Sequence, residues 1–224
     1  MDTDFKVNLR EEEVLEGINM RRVVVLALLA LTLPIAAWAS PITLTNTFGS
    51  ISISGCCGLG SVISSVGSEL TSFDAITAPK GKSLGSVSFS TGALISGSIR
   101  YGGTFSATGS TFVVIGKGKF GQPKGTIFSG SFVGPITWTL TSAPGKGNLT
   151  YTLSGTIRGT DYMGRTVTGT TTQDIFSVNA QLIQGIGHIR SGNTVFVPEP
   201  GTLGLLGTGL VGIAGMFRRK LTGT

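Results

Sequence analysis

Groups that move protons, hold metals or attack substrates are scarce in this chain. Its 224 residues include one histidine, two cysteines and eleven acids. Charged residues make up 12% of the whole, about half the usual quarter. The histidine, His188, has no second histidine with which to share a metal. The cysteines, Cys56 and Cys57, are neighbours and lack metal-ligand spacing. Adjacent cysteines cannot form an ordinary disulfide, because the usual Cα separation is out of reach. A strained vicinal bridge, an intermolecular bridge and two free thiols stay open, and small residues packed in the turn "SGCCGLG" are the simplest reading. Between 40 and 197 the acids are Glu69, Asp74, Asp161 and Asp174. No two of them stand together as a glycosidase pair, and no Asp-x-Asp run there suggests calcium. The cations are scattered, without a basic helix or an arginine strip, which argues against nucleic acid as a partner. No metal site and no cofactor are expected.

What is present is glycine, 35 residues, about twice the ordinary share of roughly 7%. With 40% hydrophobic residues the chain is too apolar for a disordered one. Glycine with Ser, Thr, Val, Ile and Phe at low charge predicts β-structure with many tight turns. The formal net charge is +6, and a mildly basic exterior suits acidic polysaccharide or anionic headgroups.

The two ends read differently from the middle. Residues 20–39, "MRRVVVLALLALTLPIAAWA", begin with Arg21 and Arg22, continue with an 11-residue apolar run from Val23 to Leu33, and close on Ala37-Trp38-Ala39 before Ser40. These are the parts of a secretory signal peptide in order. The run is too short for a membrane span, which needs about 20 apolar residues. Ala37 and Ala39 are the small residues that signal peptidase requires, with Ser40 the first residue of the mature chain. Residues 1–39 are thus leader and signal, with Met20 as an alternative start. A cleaved signal means passage through the export machinery to an oxidising compartment.

The chain ends "VFVPEPGTLGLLGTGLVGIAGMFRRKLTGT". From Leu203 to Phe217 there are 15 residues without charge or proline, spanning about 22 Å as a helix, against a hydrocarbon core of about 30 Å. Arg218, Arg219 and Lys220 follow as a stop-transfer cluster, expected on the cytoplasmic side. Pro198-Glu199-Pro200, a short Gly/Leu stretch and an Arg-rich end, in that order, resemble the PEP-CTERM sorting signal of Gram-negative bacteria, over residues 197–220 with 221–224 as tail. The resemblance implies an exosortase, a membrane transpeptidase-like protease, cutting near Pro-Glu-Pro. It implies an inner-membrane intermediate held by a single transmembrane helix at 203–217, then release or re-attachment at the cell surface or extracellular matrix. Because bacteria with this system usually make extracellular polysaccharide, it also offers exopolysaccharide as a partner.

Between the ends, residues 40–196 alternate with period 2. Ile136, Trp138 and Leu140 alternate with Thr137 and Thr139; Leu149, Tyr151, Leu153 and Ile157 alternate with Thr150, Thr152, Ser154 and Thr156. Ile42, Leu44 and Phe48 share one parity. This is the pattern of half-buried antiparallel strands. Turn signals lie at 78–82, 116–125, 143–148 and 160–164, and Pro144-Gly145 is predicted to join strands near 136–142 and 148–158. Only a stretch near 60–73 invites a short helix. The expected fold class is all-β, an antiparallel β-sandwich or barrel-like ectodomain flanked by a signal helix and a C-terminal transmembrane helix; a β-solenoid is the alternative.

Tempting motifs fail on context. "GKGKFG" (116–121) matches a dinucleotide loop, but Pro123 and a strand follow where a helix is needed. "GKSLG" (81–85) offers Ser83 as a nucleophile, with Asp161 or Asp174 and then His188 in hydrolase order, but a loop and the strand "SVSFS" flank it. Trp138, Tyr101, Tyr151 and Tyr162 are candidates for a sugar-stacking platform, although Trp138 and Tyr151 fall on opposing apolar positions of one hairpin and suit a core. The expectation is a non-catalytic structural protein of the surface or matrix. A carbohydrate-binding or adhesive module is the alternative, and a secreted hydrolase the third.

Overall fold

Outward Thr and Ser alternating with inward Leu, Ile and Phe build one continuous wall. The computed structural model describes residues 40–55, 58–145, 148–177 and 186–199, and every regular element among them is a strand. In chain order these are β1 (Ile42–Thr47), β2 (Ser50–Ser54), β3 (Val62–Phe73), β4 (Ile76–Thr77), β5 (Gly85–Ser90), β6 (Leu94–Ser98), β7 (Gly102–Phe105), β8 (Thr111–Lys117), β9 (Lys124–Gly145), β10 (Asn148–Asp161), β11 (Thr166–Ser177) and β12 (Ile186–Pro198). They belong to one compact unit, Ser40–Glu199.

All pairings are antiparallel. β1 and β2 lie between β12 and β3 as two halves of one kinked strand. β5 continues into β6, and β7 into β8, in the same way. The long β9 pairs with β8 along its first half, with β7 along its second and with β10 on its other side. The chain therefore runs up and down around eight staves, and β12 pairs with β1 to close them into a barrel. Of the two expected arrangements, sandwich and barrel, the chain adopts the barrel, because hydrogen bonds run unbroken through β9–β10 and β12–β1 and leave one closed sheet instead of two open ones. Closure removes the free edges that invite aggregation.

The stretch near 60–73 is strand β3, not a helix. Ile63, Val66, Leu70 and Phe73 carry helix-like spacing only because a bulge between Ser65 and Ser68 shifts the inward parity. Ile63 and Leu70 face in, whereas Val66 is exposed. The kink crosses to the neighbouring strand, where Phe48 (φ 59°) and Gly49 (φ 103°) adopt left-handed conformations. A Cβ on Gly49 would lie 2.7 Å from the Ser68 Cα, so only glycine fits. The kink also turns Phe48 outward, although it shares sequence parity with the inward Leu44.

Inside, Phe89, Phe112, Phe128, Phe132 and Phe196 form a connected aromatic cluster. Trp138 stacks on Tyr151 at 4.5 Å between ring centroids, and both are buried. On the β11–β12–β1–β3 side the interior is polar. Asn46 Nδ2 donates to Ser68 Oγ (2.7 Å) and to Gln173 Oε1 (2.9 Å). Gln173 Nε2 donates to Thr171 Oγ1 (3.0 Å), which is bonded to Thr194 Oγ1 (2.8 Å). Satisfied in this way, the buried amides avoid the penalty of about 1–3 kcal/mol for an orphaned polar group.

Candidate functional site at the barrel rim

The barrel has two rims. The far rim carries the turn between β6 and β7 near Tyr101. The terminal rim carries the turns at 74–84, 118–123 and 162–165, and both chain ends of the described unit leave from it, because Ile42 is paired with Phe196.

The Pro-Glu-Pro segment starts inside this wall. Phe196 is core, stacked on Phe128 at 4.4 Å. Pro198 is buried as the last residue of β12, opposite Val167. Proline is tolerated at a strand end, where no ladder donor is required. The Glu199 N–H donates to the Thr166 carbonyl at 3.3 Å, and its Oε1 lies 2.8 Å from Arg158 Nη2. Both side chains are well exposed, so the pair contributes about 0–1 kcal/mol. Beside it, Asp161 closes the β10–β11 turn. Its Oδ1 accepts from the backbone N–H of Met163 and of Arg165, both at 2.9 Å, and its Oδ2 accepts from Arg165 Nε at 2.8 Å. Burial pushes this carboxyl up, but the donors from Arg165 and Met163 outweigh it and hold Asp161 below the usual carboxylate range. The turn signal at 160–164 marked this connection in the sequence, and the structure adds the bonds by which the Asp161 carboxylate closes it.

The other anticipated residues fall as follows. Ser40 is exposed two residues before β1, whose partner β12 ends one residue before Glu199. Ala37, Ala39, Pro200, Arg218, Arg219, Lys220, the adjacent cysteines, the signal helix and the 203–217 span all lie outside the described residues. Among the described residues no helix is long and apolar enough to cross a membrane. Ser83 sits in the loop before β5, hydrogen-bonded by Lys117 Nζ, whereas His188 is exposed on β12 opposite Ser50 and Phe176. Counting three strand spacings across and five residues along puts them roughly 20 Å apart, so they cannot share a proton. Asp174 is bonded to Thr152 and Ser191, and Asp161 to its turn. The loop at 116–121 turns back into β9 through Phe120 (φ 62°) and opens no helix. Among the described residues no three His, Cys, Asp or Glu side chains come together as a metal site. The four aromatics divide. Trp138 Nε1 donates to the Ile99 carbonyl (2.8 Å) and the Tyr151 hydroxyl to the Arg100 carbonyl (3.0 Å), both from inside, while Tyr101 and Tyr162 are exposed at opposite rims. Burial raises the Tyr151 hydroxyl above its ordinary range, with Arg100 opposing.

One feature escaped the sequence pattern. An open groove of about 250 Å³ lies on the outer wall, lined by Thr45, Thr71, Thr172, Asp174, Ser191 and Asn193 among others. Its residues come from four strands distant in sequence, which no local period connects.

No curated protein and no solved structure matches this chain. One family does match, over residues 196–220. The sorting signal that the C-terminal residues resemble is thereby identified, and with it an exosortase as processing partner and a membrane-anchored intermediate on the route of export. From Phe196 in the barrel core to Lys220 beyond the apolar stretch, this chain carries a PEP-CTERM protein-sorting motif.

Proposed function

We propose that this chain is a non-catalytic surface or matrix protein of a Gram-negative-type bacterium, delivered by exosortase processing, with the barrel as its mature body. The sorting motif at 196–220 carries this reading. Signal peptidase removes residues 1–39, the span at 203–217 holds the intermediate in the membrane, and Arg218, Arg219 and Lys220 keep the tail from following. Cleavage near Pro-Glu-Pro then frees the barrel. A protease takes its substrate as extended backbone, which the residue before a proline favours. Pro198 and Glu199 are already extended, but their inner edge is occupied by β11, so recognition needs the Glu199–Thr166 hydrogen bond and the Arg158 pair to open. Both are rim contacts and open at low cost. Intact-mass and terminal peptide analysis from an exosortase-bearing host tests the proposal. The expected product begins at Ser40 and ends near Pro-Glu-Pro; a product retained through Thr224 overturns it.

A glycan-binding or adhesive role for the same barrel is the second reading. The hydroxyl- and amide-lined groove supports it, whereas the division of the aromatics deprives it of a stacking platform.

A further inference from the structure

Among its described residues the barrel is electrically lopsided. The terminal rim and its margin carry seven cationic residues, Lys80, Lys82, Lys117, Lys119, Lys124, Arg158 and Arg165, against four acids, Glu69, Asp74, Asp161 and Glu199. Two of those acids are already engaged, Asp161 by Arg165 and Glu199 by Arg158. None of the five lysines forms an ion pair among the described residues. Toward the far rim the described cations are Arg100, which lies over the ring of Tyr101, and Arg190, exposed in the far half of β12.

The lysine loops are held in place. The Lys117 N–H donates to the Leu84 carbonyl at 2.8 Å, Gln122 Nε2 donates to that same carbonyl, and Lys117 Nζ reaches Ser83. The turn at 118–123 and the loop at 78–84 are thus tied into one surface. From it projects Phe120, 52% exposed, and from the β10–β11 turn on the same rim projects Met163, 58% exposed. Phe120 is a non-glycine residue in a left-handed conformation. Apolar side chains are exposed at the far rim too (Leu59, Ile95, Tyr101), so apolarity alone does not distinguish the ends. Charge does, and so does the exit of the chain. Glu199 is four residues before Leu203, where the uncharged stretch starts, a reach of at most about 14 Å.

We infer that the terminal rim docks on the anionic headgroups of the bilayer that receives the tail, its lysines against phosphates and Phe120 and Met163 in the interface. The inference rests on the sorting reading for the identity of the surface, since the tail brings a bilayer to this rim. Docking would hold the Pro-Glu-Pro segment at headgroup level, where a membrane-embedded protease works, and would orient the barrel with its far rim away from the lipid. Each lysine near an anionic surface adds to the attraction, which is screened within about a Debye length.

The test uses the barrel alone, residues 40–199, a closed sheet with its own core and no tail. It is mixed with vesicles of phosphatidylcholine, with or without about 30% phosphatidylglycerol, and sedimented at low and high salt. Binding that needs phosphatidylglycerol and fades with salt is expected. The variant with Lys80, Lys82, Lys119 and Lys124 all changed to Gln should bind at least about tenfold more weakly, whereas Arg100→Gln at the far rim should bind as the parent does. The near-ultraviolet dichroism of the Trp138–Tyr151 stack verifies folding of each variant, and Phe120→Ser, which leaves every lysine in place, should lower the binding that persists at high salt. Absence of lipid-dependent sedimentation, a quadruple variant that binds like the parent, or capture by a soluble acidic polysaccharide without capture by vesicles would each overturn the inference. None of these results bears on processing, which mass analysis of the full chain decides separately.

Discussion

Asp161 shows how much one side chain can organise. It accepts two backbone N–H groups and the Arg165 guanidinium, and so closes the only connection between β10 and β11. Charge-assisted bonds are about twice as strong as neutral ones. Asp161→Ala is expected to lose about 2 kcal/mol, a fall of about 4–8 °C in Tm for a domain of this size. Because the folded carboxyl titrates below its unfolded value, its stabilisation is fully present above the unfolded pKa of about 3.9. It is lost as pH falls through the lower folded value. The Tm gap between the parent and Asp161→Asn should therefore be constant from neutrality to about pH 5 and close below about pH 4; a gap that widens on acidification would contradict this assignment. Gly192 makes the opposite point, since its value lies in what it lacks. A Cβ there would sit 2.1 Å from Gln173 Oε1 and 2.3 Å from Asn46 Oδ1. Gly192→Ala must push the buried amides apart, and chemical denaturation should register a loss of about 2–3 kcal/mol. Combined with Asn46→Ala the loss should be less than additive, because both changes strike one network. Trp138 and Tyr151 were legible as core from alternation alone. Gly192 was not, because its neighbours Asn46 and Gln173 are far away in sequence.

At the scale of elements, the hairpin of β9 and β10 was readable from Thr alternation around Pro144-Gly145, but its register was not: Trp138 is paired with Leu153 and Tyr151 with Leu140, so the two rings expected to oppose each other are diagonal neighbours. The kinked strand β1–β2 and the bulged β3 were not, because a single inserted residue breaks the period on which such reading depends. The sorting motif was legible as a string, but its attachment was not. Alternation through "NTVFVP" gave no warning that the motif and the last stave share Phe196 and Pro198. The overlap has a consequence for processing. Phe196→Ala removes the stack on Phe128 and loosens the end of β12, while Arg158→Gln frees Glu199 without touching the core. In a pulse-chase in an exosortase-bearing host, Arg158→Gln should be processed faster than the parent, by about 1.5- to 5-fold given the small worth of an exposed ion pair. Unchanged or slower processing would mean that the protease reads the motif while it is still docked.

For the whole molecule the decisive contact is the one between its ends. Ile42 and Phe196 are about 150 positions apart in sequence and directly opposed in the sheet, which is why periodicity, a local signal, predicted strands but left sandwich and barrel undecided. Loop closure over such a separation is entropically costly, so the β12–β1 seam should form late in folding. Once formed, it makes the ring indifferent to where the chain begins. A circular permutant that joins Glu199 to Ser40 through a few glycines and opens between Lys80 and Gly81, both exposed, keeps every stave and sacrifices only the Lys82–Pro79 backbone bond at 3.0 Å. It should fold with the same near-ultraviolet signature from Trp138 and Tyr151 and a Tm within about 10 °C of the parent. A permutant that cannot fold would mean that residues 40 and 199 do not lie side by side and that the seam is open. The same geometry predicts that a cut just past Glu199 would leave the barrel folded. The last stave ends at Pro198, so removal of everything beyond Glu199 takes away the address and leaves the ring closed.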